Sequence, residues 1–315
     1  MSETGRIVIA GATGQVGKPL CARLIAEGYS VVVLTRRPRV AAGDVPGAED
    51  YLAWEPGVVG PWASAVDGAA AVVNLAGAPF FRRWSRGDFD RVVTGGRILG
   101  NRCLAEAVTA ASTRPGVFVS ASAVGYYGFT GVGDPDEIVT EHTPPGIDHW
   151  ANGVRAWEAE AARVVQAGVR TAFLRTGIVL AADEGMAVRM APQFRRGFGA
   201  VIGSGSQWLP WIHVDDVVGL YHLALTDDRV DGGLNVAALN PVRYRDYAEA
   251  MAAIAGRPVR LTVPGAAMRL ALGDVADSVL HNRRMIPARA LELGYEFSFA
   301  DLSAALRDVL GSGAA

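Results

Sequence analysis

Arg6-Ile7-Val8-Ile9-Ala10-Gly11-Ala12-Thr13-Gly14-Gln15-Val16-Gly17 decides how the rest of the chain is read. The run Arg6 to Ala10 suits a strand covered on both faces. Glycines then follow at 11, 14 and 17, and from about Gln15 to Glu27 the apolar residues take helical spacing. Glycines so placed allow a tight strand-to-helix turn and let backbone amides approach a phosphate, to which the helix N-terminus adds partial positive charge. Ordinary turns use glycine as well, but a glycine triplet between an apolar strand and a helix is the context that binding of a dinucleotide pyrophosphate requires. Gly11, Thr13, Gly14, Gln15, Val16 and Gly17 are the candidate contacts.

The second strand, Ser30-Val31-Val32-Val33-Leu34, runs into Thr35-Arg36-Arg37. About 20 residues past the glycines, an NAD-binding chain offers an Asp or Glu to the adenosine ribose. A carboxylate there repels a 2′-phosphate, whereas a guanidinium binds it bidentately. The sequence therefore favours NADP(H) over NAD(H), with Arg36 the first candidate and Arg37 the second. The alternative is a pair of solvated loop residues.

Ala70 to Leu75, Val117 to Ser120 and Arg170 to Arg175 are further short apolar runs, separated by helical patterns. This alternation predicts an α/β fold, a Rossmann-type doubly wound parallel sheet with right-handed crossovers. The domain is expected over 1–240. Within it, 176–212 contributes to the substrate pocket, Gly197 to Trp211 reads as irregular, and a helix starts near Val214. From Pro241 the pattern is mainly helical, broken at Pro258, Pro264 and Pro287, and it closes in an amphipathic helix from about Phe299 to Leu310. A smaller, mainly helical C-terminal domain on the substrate side, 241–315, is expected, with a frayed tail from Gly311.

Half of the 315 residues are apolar, enough for a sizeable core. A formal charge of −2 from nearly balanced acids and bases argues against nucleic acid or an anionic membrane as partner. Lys18 is the only lysine, and arginine supplies the remaining positive charge. Cys21 and Cys103 fall in helical patterns and read as reduced core residues. The chain enters a strand without a charged leader, and no apolar run is long enough to span a bilayer, so a cytoplasmic location is expected. Five histidines without close ligand spacing predict no metal site. The serines of Gly203-Ser204-Gly205-Ser206 are out of register for a nucleophile elbow.

With the glycine turn, Asn74-Leu75-Ala76-Gly77, Ser120-Ala121-Ser122, Tyr127-Gly128, Leu174-Arg175-Thr176-Gly177 and Trp211-Ile212-His213-Val214-Asp215-Asp216 in this order, the chain resembles the extended short-chain dehydrogenase/reductase superfamily. Ser122-Ala123-Val124-Gly125-Tyr126-Tyr127-Gly128, Trp157-Glu158, Gly203 to Trp208, and Arg284-Met285-Ile286-Pro287 with Gly294-Tyr295-Glu296-Phe297 look like one atypical branch of it. Members of that branch carry epimerase-like or cell-division-inhibitor-like labels. The resemblance implies an NADP(H) domain, a small-molecule substrate and a homodimer. It also implies that Leu75, Ala76, Gly77, Arg175 and Thr176 lie along the cofactor. Ser122 matches the hydroxyl that hydrogen-bonds a substrate oxygen, the alternative being a serine that satisfies local backbone groups. Tyr126 and Tyr127 are candidate proton donors, with packing as the alternative.

The superfamily's catalytic tyrosine and lysine, four residues apart, are missing. Anchoring on Glu158 puts Trp150 at the tyrosine position and Val154 at the lysine position. Indole does not ionise in a useful range, and valine has no polar group. A shift of one residue would instead bring Arg155 to the lysine position. Arg97 and the loop Phe80-Phe81-Arg82-Arg83-Trp84 are further candidate anion contacts, each with a solvent-facing alternative. Asp215 or Asp216 is expected to cap or charge the first turn of the following helix, and Glu141 is a substrate-side acid or a surface residue. The reading is an NADP(H)-dependent oxidoreductase acting on a C=O, C=N or activated C=C bond. The alternatives are a redox-neutral epimerase or dehydratase and a non-enzymatic NADP(H)-binding regulator.

Overall fold

The computed structural model describes residues 5–77, 93–130, 134 and 136–311. The loop at 80–84 and the tail from 312 lie outside them. Seven parallel strands form the central sheet: β1 (Arg6–Ala10), β2 (Ser30–Thr35), β3 (Asp50–Ala53), β4 (Ala71–Asn74), β5 (Val117–Ala123), β6 (Arg170–Thr176) and β7 (Gly232–Val236), in the order β7-β6-β5-β4-β1-β2-β3. This is the expected doubly wound arrangement. Strand order reverses between β1 and β4, where such sheets open a crevice at their carboxyl ends.

Alternation along each strand sends side chains to two faces. Ile7, Ile9, Val31 and Val33 meet Leu20, Cys21 and Leu24 of α1 (Gly17–Ala26), together with part of a second helix (Val214–Thr226). Val8, Ala10, Val32 and Phe118 meet Cys103, Leu104 and Val108 of a helix on the opposite face (Leu99–Ala110). Both cysteines are free and buried. Helix α1 starts two residues later than the periodicity suggests, because Gln15 and Val16 still belong to the turn.

The edge strands β3 and β7 have no counterpart in the sequence reading. Asp50-Tyr51-Leu52-Ala53 is too exposed to form an apolar run. β7 opens with two glycines and carries the buried Asn235. Arg289 covers part of the β7 edge, its Nη1 donating to the carbonyls of Asp231 and Gly233 at 2.6 and 2.8 Å.

The stretch Gly197 to Trp211, expected to be irregular, holds the short strands Ala200–Ile202 and Trp208–Leu209 and the first residue of Trp211–His213, and a helix (Met186–Arg195) precedes it. Ile178–Leu180 pairs with Trp211–His213, Ala200–Ile202 with Leu261–Val263, and Trp208–Leu209 with Val242–Arg243. Strands of two or three residues show no periodicity, and their partners are far away in the chain. A further apolar cluster joins Phe194, Val201 and Trp211 to Tyr244, Tyr247 and Met251 and to Leu302, Leu306 and Val309 of the closing helix (Leu302–Leu310).

The cap of the helix Val214–Thr226 is His213, not an aspartate. Its Nδ1 accepts from the Asp215 amide at 3.2 Å, so the ring hydrogen sits on Nε2, facing Asp308 at 3.1 Å. Asp215 and Asp216 occupy the first turn, where their charge suits the helix dipole. Asp216 is fully buried and accepts from the amides of Ser298 and Phe299 at 2.7 and 3.0 Å. It thereby ties the sheet domain to the segment that leads into the closing helix. Asp216→Ala strands these donors and is expected to cost about 2–4 kcal/mol, read as a lower urea midpoint with an unchanged slope.

Candidate functional site

The carboxyl ends of β1, β4, β5 and β6 open into a cleft of about 360 Å³. Its glycine turn is built by close approach. Gly11 has φ 82°, and a Cβ there would stand 2.6 Å from the amide nitrogen of Ala76. A Cβ on Gly17 would come within 2.6 Å of the Ala12 backbone. No side chain fits at either place, so the backbone itself forms the surface. Helix α1 begins without a side-chain cap; the Lys18 amide donates to the Gly14 carbonyl at 3.0 Å, and Pro19 has no N–H. This cradle fits a pyrophosphate.

Gly11, Gly14, Gln15, Val16 and Gly17 line the cleft, and Thr13 stands outside the lining. Gln15 Nε2 donates to the Glu184 carbonyl at 3.2 Å, tying the turn to the opposite wall. Ala10 pairs with Leu34, so β2 ends beside the turn. Arg36 and Arg37 emerge there, exposed and clear of the cleft lining. Lys18 is engaged with Asp44 at 2.9 Å.

At the end of β4, Asn74 Oδ1 accepts from the Ala76 amide at 3.0 Å and its Nδ2 donates to Asn101 at 2.6 Å. Asn101 in turn donates to the Trp157 carbonyl at 2.8 Å. This buried chain fixes the loop whose Leu75 and Gly77 line the cleft. Arg97 also lines it. A Cβ on Gly77 would stand 2.6 Å from the guanidinium carbon of Arg97, which lies 4.7 Å over the Trp157 ring. Burial of that charged end lowers its pKa to about 10.

The helix His149–Ala161 resolves the register of the missing pair. Trp150 and Val154 face the cleft, whereas Arg155 is exposed. Ser122 lines the cleft and donates to Glu158 Oε1. Arg175 clasps the same carboxylate, Nε to Oε1 and Nη2 to Oε2, both at 3.1 Å. Burial pulls the Arg175 pKa down, but the hydrogen bonds and charge of Glu158 outweigh it and hold it raised.

Arg175, Tyr126 and Tyr127 stand behind the cleft wall. The Arg175 guanidinium lies 3.4 Å from the centre of the Tyr126 ring, and its Nη1 donates to the Tyr127 hydroxyl at 3.3 Å. Tyr127 passes its own hydrogen to Asn235 Oδ1 at 2.6 Å. Asn235 continues the chain, its amide donating to Glu141 Oε1 at 2.9 Å. Burial outweighs the pull of Arg175 and raises the Tyr127 pKa to about 12, and it raises that of Glu141 as well.

Thr176 lines the cleft, and so does Tyr221, which the sequence reading passed over. The signal was present: Val217, Leu220, Tyr221 and Ala224 form one buried helical stripe, and a hydroxyl on such a stripe needs a partner. Tyr221 finds Thr176. Glu158 was likewise passed over as the partner of Ser122. Ser278 and Asn282, from the C-terminal part, complete the wall.

The model of the NAD dependent epimerase/dehydratase family matches residues 7–237, and that of a domain of unknown function, DUF1731, matches 263–309. A chloroplastic homolog of epimerase family protein SDR39U1 from Arabidopsis thaliana is 38% identical over 310 residues, covering 96% of this chain and 86% of the plant protein. The human epimerase family protein SDR39U1 is 33% identical over 310 residues, covering 97% and 99%. A crystal structure of the human protein (isoform 2) with NADPH superposes with a TM-score of 0.83 at 31% identity, over 97% of this chain and 99% of that one. No helix among the described residues is long and apolar enough to cross a membrane.

Because the folded state favours the neutral phenol of Tyr127, stability falls as the pH rises from its ordinary pKa near 10 to about 12. Tyr127→Phe is expected to soften that fall. At neutral pH the same variant should lose about 1–3 kcal/mol in urea unfolding, because Asn235 and Arg175 lose a partner.

Proposed function

This chain belongs to the NAD dependent epimerase/dehydratase family, and within it we propose an NADP(H)-dependent oxidoreductase that acts on a small molecule at a C=O, C=N or activated C=C bond. The observation that carries this reading is the glycine cradle at the strand-order switch, opening directly into a cleft lined by Ser122. The NADPH-bound human relative supports it. Gly11, Thr13, Gly14, Gln15, Val16 and Gly17 would hold the pyrophosphate, Arg36 and then Arg37 the 2′-phosphate, and Leu75, Ala76, Gly77 and Thr176 the inner half. When bound, the cofactor gives a hydride to the substrate carbon or takes one from it.

Ser122 gives its only hydrogen to Glu158 and so turns lone pairs toward the cleft. In this reading it accepts a hydrogen bond from a substrate hydroxyl or amine and so orients the reacting carbon. Glu158 and Arg175 position Ser122, and Tyr126 and Tyr127 support Arg175, so we assign the tyrosines to positioning rather than to proton donation. A redox-neutral epimerase would need a base in the cleft, and Trp150 and Val154, which fill the place of the usual pair, supply none. The small C-terminal part would close the substrate end through Ser278 and Asn282.

Calorimetry with NADPH and NADH tests the reading. Wild type should prefer NADPH by roughly tenfold or more, and Arg36→Ala should remove most of that preference, since a charge-assisted hydrogen bond is worth about that factor. Ser122→Ala should keep NADPH affinity while slowing turnover on a carbonyl, imine and enone panel by roughly tenfold or more. Wild-type protein that binds no NADPH sinks the proposal.

A further inference from the structure

The cleft is lined by hydroxyls whose hydrogens point the wrong way for a negatively charged oxygen. Ser122 donates to the Glu158 carboxylate. Thr176 donates to the Leu174 carbonyl at 3.0 Å, and Ser278 to the Val275 carbonyl at 2.8 Å. With the Thr176 hydrogen so engaged, the hydrogen between Tyr221 and Thr176 comes from Tyr221. Each hydroxyl has one hydrogen, so all four present lone pairs. An oxyanion beside these hydroxyls finds no hydrogen from them, and a cation in the cleft would supply what they lack.

Arg97 is in that position. Its guanidinium lies in the cleft over Gly77, where any side chain would collide with it, and the face of Trp157 limits its tilt. Gly77 follows directly on Ala76, which packs against the glycine turn, and Ser122 and Val154 line the same cleft. The other guanidinium in the lining, Arg189, is half-exposed and bridged to Glu184 at 3.3 Å. A guanidinium has five N–H groups in a planar fork and keeps its charge where an ammonium is readily lost.

We propose that Arg97 is the oxyanion-binding residue of the cleft, donating to a negatively charged oxygen of the ligand. That oxygen is either a phosphate of the dinucleotide or an acid group of the substrate, and the inference rests on the cleft being the ligand site proposed above. Glycine at 77 is the structural counterpart of this role, since it seats the guanidinium inside the cleft.

The test is calorimetry on wild type, Arg97→Lys and Arg97→Gln with NADPH and, separately, with oxalate on unloaded and NADPH-loaded protein. If Arg97 serves the dinucleotide, Arg97→Gln weakens NADPH roughly tenfold or more and Arg97→Lys recovers most of it. If it serves a substrate acid, NADPH affinity is the same in all three, and oxalate binding is lost in Arg97→Gln but kept in Arg97→Lys. Either pattern, with unchanged melting temperatures of the free proteins, supports the proposal. Variants that bind both probes like wild type overturn it, as does an equal loss in both variants accompanied by lower melting temperatures, which marks a structural role. Wild type that binds oxalate but not NADPH defeats the cofactor reading alone, and the oxalate arm then decides for Arg97. Wild type that binds neither probe defeats both.

Discussion

The bidentate pair of Glu158 and Arg175 joins the helix His149–Ala161 to the end of β6 directly beneath the cleft. Two charges taken out of water cost more than their attraction returns unless their remaining donors and acceptors are also matched. Here they are matched with the parts that matter for the site. Glu158 takes the hydrogen of Ser122, and Arg175 is flanked by the ring of Tyr126 and the hydroxyl of Tyr127. Through Tyr127, Asn235 and Glu141 the same network reaches the amide of Arg289, so the C-terminal part is registered against the sheet by polar bonds as well as by apolar packing. The orientation of Ser122 is thus a consequence of an ion pair outside the cleft.

Glycine makes room for the guanidiniums of Arg175 and Arg97. A Cβ on Gly233 would stand 2.8 Å from the Arg175 guanidinium carbon, as one on Gly77 would crowd Arg97. This explains why β7 was invisible in the sequence. Its glycines weaken the strand signal, yet one of them admits Arg175 and its neighbour Asn235 anchors Tyr127. A strand whose composition is set by a neighbouring side chain does not announce itself by propensity.

The inner strands and the glycine turn were legible, because each depends on neighbours within a few residues in the chain. Tyr221, the role of Glu158 and the seating of Arg97, itself a candidate anion contact, against Gly77 were not. Arg97 sits just ahead of the helix Leu99–Ala110, where an arginine reads as solvated, and only the path of the chain after β4 brings Gly77 against it. The pairing of Ser122 with Glu158 spans 36 residues, and no periodicity connects them. The His213 cap was hidden for another reason: imidazole is an uncommon cap, and it can act as one here because Asp308, 95 residues away, fixes the tautomer.

In the proposed reading Trp150 and Val154, which line the cleft, stand in place of the usual pair, and this changes what the cleft can do beyond removing groups from it. Tyrosine and lysine titrate, so such a site can pass a proton. A guanidinium whose pKa is lowered only to about 10 is still charged at neutral pH, and the Glu158 carboxylate is occupied by three hydrogen bonds from Arg175 and Ser122. A guanidinium holds and orients charge well and exchanges protons poorly. Under the proposed function, chemistry in this cleft is best matched to a substrate that brings its own acidic hydrogen, or to a proton delivered by water, with the protein fixing the reacting carbon and the charge that develops beside it.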